Sequence, residues 1–108
     1  MLLQKILKII LIPNYYIILS KTAKLELNNF FAYSRNISYS YYLKTKEKFH
    51  TQLSYISYNP YMYPKYISNS KKYMDCRKSF LFKYIVIYKI LDDHVKILDI
   101  FHSKNNYK

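Results

Sequence analysis

The stretch that most constrains this chain lies near its C-terminus. Residues 80–91, FLFKYIVIYKIL, are followed at once by Asp92-Asp93 and then by residues 95–102, VKILDIFH. Both runs are rich in β-branched and aromatic residues, and the acidic pair between them supplies a turn, so the segment reads as an antiparallel hairpin. With Asp92-Asp93 at the tip, Tyr88 falls opposite Ile97, Ile87 opposite Leu98 and Tyr84 opposite Phe101. The same register sets Lys83 opposite His102 and Lys104 opposite Leu81, and pairs Lys89 with Lys96, a like-charge contact. The middle of the first arm is apolar on both faces, which describes a central strand covered on both sides.

The remaining segments supply the cover. Residues 15–19, YYIIL, form a short strand bounded by Pro13-Asn14 and Ser20. Ser20 or Thr22 then caps a helix whose Ala23, Leu27, Phe30, Phe31 and Ser34 share one face. A second helix begins at Ser38 or Ser40, carries Tyr39, Tyr42, Phe49, Leu53 and Ile56 in a three-four spacing, and stops at Asn59-Pro60. The aromatic members of that stripe read as core. Residues 60–70, PYMYPKYISNS, are a loop, and a further strand is expected over residues 73–79. The order is β-α-α-β-β-β, an α+β fold in which a helical hairpin packs on an antiparallel sheet. At 108 residues there is room for one domain, expected over residues 15–108.

Residues 1–14 open with MLLQKILKIILI, apolar but broken by Lys5 and Lys8 and stopped by Pro13. The run falls short of the roughly 20 apolar residues of a membrane span and lacks a small-residue cleavage site. It is expected to be a leader or extra helix, and no stable membrane association is expected.

The formal net charge is +12, from eighteen basic and six acidic residues. All but two of the basic residues are lysine, the exceptions being Arg35 and Arg77. Lysine, isoleucine, asparagine and tyrosine have A/T-rich codons, so genome composition explains part of this bias. The remaining excess suits a polyanionic partner, either nucleic acid or an acidic protein segment. Cys76 is the single cysteine, which excludes an internal disulfide and fits a reducing cytoplasm. His50, His94 and His102 are scattered without ligand spacing, so no metal or other cofactor is expected. The chain contains no glycine, hence no phosphate-cradling loop, dinucleotide fingerprint or G-x-S-x-G elbow.

Taken in order, the strand YYIILS, the helix TAKLELNNFFAYS, the exit L-x-x-I-x-x-N-P at residues 53–60, Arg77, YIVIY at 84–88, DDHVKIL at 92–98 and H-x-K at 102–104 resemble the ParE/RelE superfamily of type II toxin–antitoxin systems. The resemblance covers residues 15–104. It implies a cytoplasmic bacterial toxin held in a hetero-oligomer by a cognate antitoxin. An acidic antitoxin segment that folds on binding can wrap a basic toxin with exposed sheet edges.

The superfamily divides in function. One branch, ParE, poisons DNA gyrase without being a nuclease. The other, RelE, cleaves messenger RNA on the ribosome with basic and aromatic side chains, often including an arginine in the strand occupied here by YIVIY. Ile85 stands where that arginine is expected, and a hydrocarbon cannot stabilise charge on a reacting phosphate. The ending H-x-K also resembles the ParE branch, which is therefore the favoured reading. Target binding is expected from Arg77, Lys83, His102 and Lys104, and antitoxin binding from Phe31, Tyr84 and Tyr88. The alternative, a ribosome-dependent endoribonuclease, requires Lys83, Arg77, His102 and Tyr107 to converge. Arg77 also has a structural reading, as a tie between the sheet and the chain's end.

Overall fold

Ser20 marks the first turning point of the chain. Its hydroxyl accepts from the Ala23 N–H at 3.0 Å, capping helix α1 (Lys21–Ile37), and donates to the Leu98 carbonyl at 2.7 Å. In the computed structural model, which describes residues 15–105, α1 is preceded by strand β1 (Tyr16–Leu19). It is followed, after a single capping residue, by α2 (Tyr39–Tyr58). Ser38 caps α2 through the Tyr41 N–H, at 3.0 Å. The expected leader and Tyr107 lie outside the described residues.

α1 packs as the periodicity requires, and α2 does so except at its first turn. Ala23, Phe30 and Ser34 of α1 are buried, with Leu27 and Phe31 packed against the same cluster. On α2 the buried residues are Thr45, Phe49, Ile56 and Ser57, with Leu53 half-buried, whereas Tyr39, the first member of the expected stripe, is exposed. Asn59 ends α2, and a 3-10 turn at Pro60–Met62 leads into the loop.

Strands β2 (Cys76–Leu81), β3 (Tyr84–Ile90) and β4 (His94–His102) complete a four-stranded sheet in the order β1-β4-β3-β2. The sheet is mixed, because β1 pairs with β4 in parallel while the other neighbours are antiparallel. The reason lies in the helical hairpin. Tyr15 N–H donates to Ser57 O at 3.2 Å and Ser57 Oγ donates to Tyr15 O at 2.6 Å, so α2 ends where β1 began. The chain re-enters the sheet from that end, and β2 runs in the direction of β1. Two hairpin reversals later, β4 does too.

The central strand is sealed on both faces. Val86 and Tyr88 meet the helices, and Ile85 and Ile87 face a second cluster with Tyr73, Cys76 and Phe101. Each side chain buried in this way contributes about 1.5–3 kcal/mol. The segment from Tyr66 to Cys76 covers that second face. There the Tyr73 hydroxyl, in a 3-10 turn rather than the expected strand, donates to Asp99 Oδ2 at 2.6 Å, and Lys72 pairs with the same oxygen at 3.1 Å.

The strand boundaries and register differ from expectation in two further places. The run 80–91 is two strands, broken by a turn at Phe82-Lys83 in which Phe82 adopts φ 56°. The β3–β4 register follows expectation at Tyr88–Ile97, Lys89–Lys96 and Ile90–Val95, then shifts by one residue. Leu98 is the extra residue of this bulge, and its carbonyl takes the Ser20 hydroxyl. Tyr84 therefore lies opposite His102 rather than Phe101.

Candidate functional site

The two ends of the sheet differ in charge. At the end holding the β3–β4 turn lie Asp92 and Asp93, the latter 3.0 Å from His94 Nδ1. At the opposite end, the β2–β3 turn and the exit of β4 bring Lys83, His102 and Lys104 together. Ser103 N–H donates to Lys83 O at 2.7 Å, and Lys104 N–H donates to His102 Nδ1 at 3.1 Å. That second bond requires Nδ1 to carry no hydrogen, leaving Nε2 as the ring's N–H donor. The His102 ring meets Tyr84 edge-on, with centroids 5.3 Å apart, and Tyr84 packs on Phe30 at 4.1 Å. Burial pushes the Tyr84 phenol above its ordinary range, so it stays neutral.

Arg77 is not part of that group. It pairs with Tyr88 in the β2–β3 ladder, four residues from Leu81 at the turn, or about 13 Å along the strand. Its Nη1 donates to the carbonyl oxygens of Tyr63, at 2.6 Å, and Tyr61, at 3.3 Å, and its guanidinium lies 5.3 Å from the Tyr61 ring centroid. The tie it makes is to the loop after α2, not to the chain's end.

The three aromatic candidates separate by burial. Tyr88 is fully buried and its hydroxyl is spent on Pro60 O, which leaves no surface to offer an antitoxin. Phe31 is half-buried in edge-on contact with Tyr42 and Phe49. Tyr84 is likewise half-buried. Both retain some accessible surface.

Sequence reasoning missed the neighbouring groove. Lys44, Glu47, Lys48, Thr51 and Gln52 of α2 form one wall, and Phe80 and Leu81 of β2 with Phe82 of the β2–β3 turn form the other, around about 700 Å³. Lys48 Nζ lies 4.9 Å from the Phe82 ring centroid, and Tyr41 packs beside that ring at 6.2 Å. Gln52 Nε2 donates to Ser79 Oγ and fixes the wall to β2. The i, i+4 spacing of Lys44 and Lys48 was available as a signal. The turn that brings Phe82 to them was not, since no glycine or asparagine marks it.

Among the described residues no group of three or more potential metal ligands occurs, and no helix is long and apolar enough to cross a membrane.

Residues 17–107 match the family model described as ParE toxin of type II toxin-antitoxin system, parDE. No curated protein matches the chain significantly. Among solved structures, one titled chromosomal ParDE TA system from P. aeruginosa superposes with a TM-score of 0.64 at 14% identity, covering 82% of this chain and 96% of that one. At that identity the likeness concerns the fold.

Proposed function

The chain belongs to the ParE toxin family of type II toxin–antitoxin systems, and from that premise we propose that it stops growth by poisoning DNA gyrase in the cytoplasm and is neutralised by a cognate antitoxin. Poisoning here is a binding event in which the toxin stabilises a broken-DNA complex without cleaving anything itself. Lys83, His102 and Lys104 are the target-binding residues of this reading, two exposed ammonium groups beside a half-buried imidazole at one end of the sheet.

The observation that carries the choice between the two superfamily branches is the position of Arg77. An endoribonuclease needs its basic groups around one phosphate. Arg77 lies about 13 Å along the strand from the Lys83 end and is committed to two loop carbonyls. Ile85, at the place where the nuclease branch is expected to carry an arginine, is fully buried. Both facts favour binding over catalysis.

The antitoxin reading rests on charge and on open edges. An acidic partner is drawn to a chain of +12. β1 is an edge strand whose Tyr16 and Ile18 are exposed, and the outer edge of β2 is paired by the loop only as far as Lys78, whose N–H donates to Pro64 O at 3.0 Å. Such edges accept an added strand. Phe31 and Tyr84 are the aromatic contacts of this reading.

The test is pulse-labelling of DNA and protein synthesis within minutes of inducing the chain without antitoxin. Early loss of DNA synthesis, with purified gyrase trapped on cleaved plasmid by the protein, is the expected result. Early collapse of translation, with gyrase unaffected in vitro, would reject gyrase in favour of messenger-RNA cleavage.

A further inference from the structure

We propose that the groove between α2 and the β2–β3 turn is a binding site for single-stranded nucleic acid. This goes beyond the gyrase reading and is measured without gyrase, so either can fail alone.

Charge comes first. Lys44 and Lys48 line the groove, Lys83 adjoins it at the turn, and Glu47 is the single carboxylate among the lining residues. All three lysines are exposed. Two ammonium groups one turn apart on α2, with a third at the β2–β3 turn, suit the repeating phosphates of a backbone.

Ring placement is the second observation. Phe82 keeps 40% of its surface exposed at the tip of the turn, although an apolar ring gains by burial. It does so in the left-handed region, at φ 56°, which costs a residue with a Cβ about 1–2 kcal/mol. Tyr41 lies beside it and Lys48 above it. The result is an aromatic platform among cations, the combination by which proteins stack bases while holding phosphates. A peptide of carboxylates alone, such as polyglutamate, would engage the lysines and leave the rings unused. Duplex DNA would offer phosphates but keep its bases stacked on each other. A single strand uses both features, and nothing in the groove reads the sugar.

The experiment is fluorescence anisotropy of the full-length chain with labelled oligo-dT and oligo-rU, across a salt series. Both oligomers are expected to bind, more tightly than a duplex of equal length, and polyglutamate is expected to compete poorly. The double variant Lys44→Gln/Lys48→Gln should weaken binding and lower the slope of log affinity against log salt by about 1.4, two contacts on a single strand. Lys89→Gln/Lys96→Gln, the same charge loss elsewhere, should leave more of the binding intact. Phe82→Asn removes the ring at a position where asparagine is at ease, so folding is preserved, and should weaken binding about ten-fold. Phe82→Tyr should restore it. Equal losses from the two lysine pairs, an unaffected Phe82→Asn variant, tighter duplex binding or effective competition by polyglutamate would each overturn the proposal.

Discussion

Tyr88, fully buried in the central strand, donates its phenolic hydrogen to the Pro60 carbonyl at 2.6 Å. One bond thus fastens the exit of α2 to the middle of the sheet, across 28 positions of sequence. Tyr88→Phe keeps the ring and abandons a buried acceptor, so it should cost about 1–2 kcal/mol in urea or thermal unfolding. An unchanged midpoint would mean that the carbonyl finds another donor.

Alkaline pH should test both buried phenols together. Burial first, and then the Asp99 carboxylate, holds the Tyr73 phenol far above its ordinary value, and burial does the same for Tyr88. A phenol with a raised folded-state value contributes its full stability below the unfolded value of about 10 and loses it as pH rises beyond. Stability should therefore be flat up to about pH 9 and fall steeply above 10. Tyr42, lowered by its bond to Arg35, should ionise before the others in an absorbance titration. Tyr73 and Tyr88 should ionise only as the circular dichroism signal collapses.

Thr45 sits fully buried on α2, and its Oγ1 has no hydrogen-bond partner among the described residues. Ser34 on α1 meets the same demand by donating to Phe30 O at 2.9 Å. Thr45→Val fills the same space without the orphan hydroxyl and should stabilise the protein by about 1 kcal/mol in denaturant titrations. Destabilisation would show that the hydroxyl has a partner.

Arg77 and the Lys83 end should separate in a growth assay. Arg77→Ala loses the bond to Tyr63 O at a partly exposed site, and about 1 kcal/mol of stability with it. At matched levels of folded protein its toxicity should persist. The combined variant Lys83→Gln/His102→Ala/Lys104→Gln should keep the fold and lose most of the growth inhibition. A folded but harmless Arg77→Ala chain would return Arg77 to the target-binding set.

Much of the architecture was legible because local chemistry carried it. Ser20 and Ser38 are N-caps of the kind their neighbours announce, and Asn59-Pro60 can only end a helix. Apolar spacing identified the packed face of α1, including Ser34. The Asp92-Asp93 turn set the first three pairs of the β3–β4 ladder. The hairpin at Phe82-Lys83 escaped notice because a phenylalanine occupies a backbone position that usually belongs to glycine, in a chain with none.

Most helical and extended residues, and the apolar face of α1, follow from properties that repeat within a few residues; the turn at Phe82-Lys83, the 3-10 turn at Tyr73 and the exposure of Tyr39 do not. Tertiary structure decided the neighbours. The Leu98 bulge, whose carbonyl receives Ser20 Oγ from 78 positions away, shifts the register and brings Tyr84 opposite His102. The return of α2 to Tyr15 makes β1 parallel to β4. Arg77 was drawn to the Tyr61 and Tyr63 carbonyls and away from Lys83 by a loop with no periodicity to read. Periodicity reports the sides of an element, whereas which elements touch depends on contacts that no short window of sequence contains.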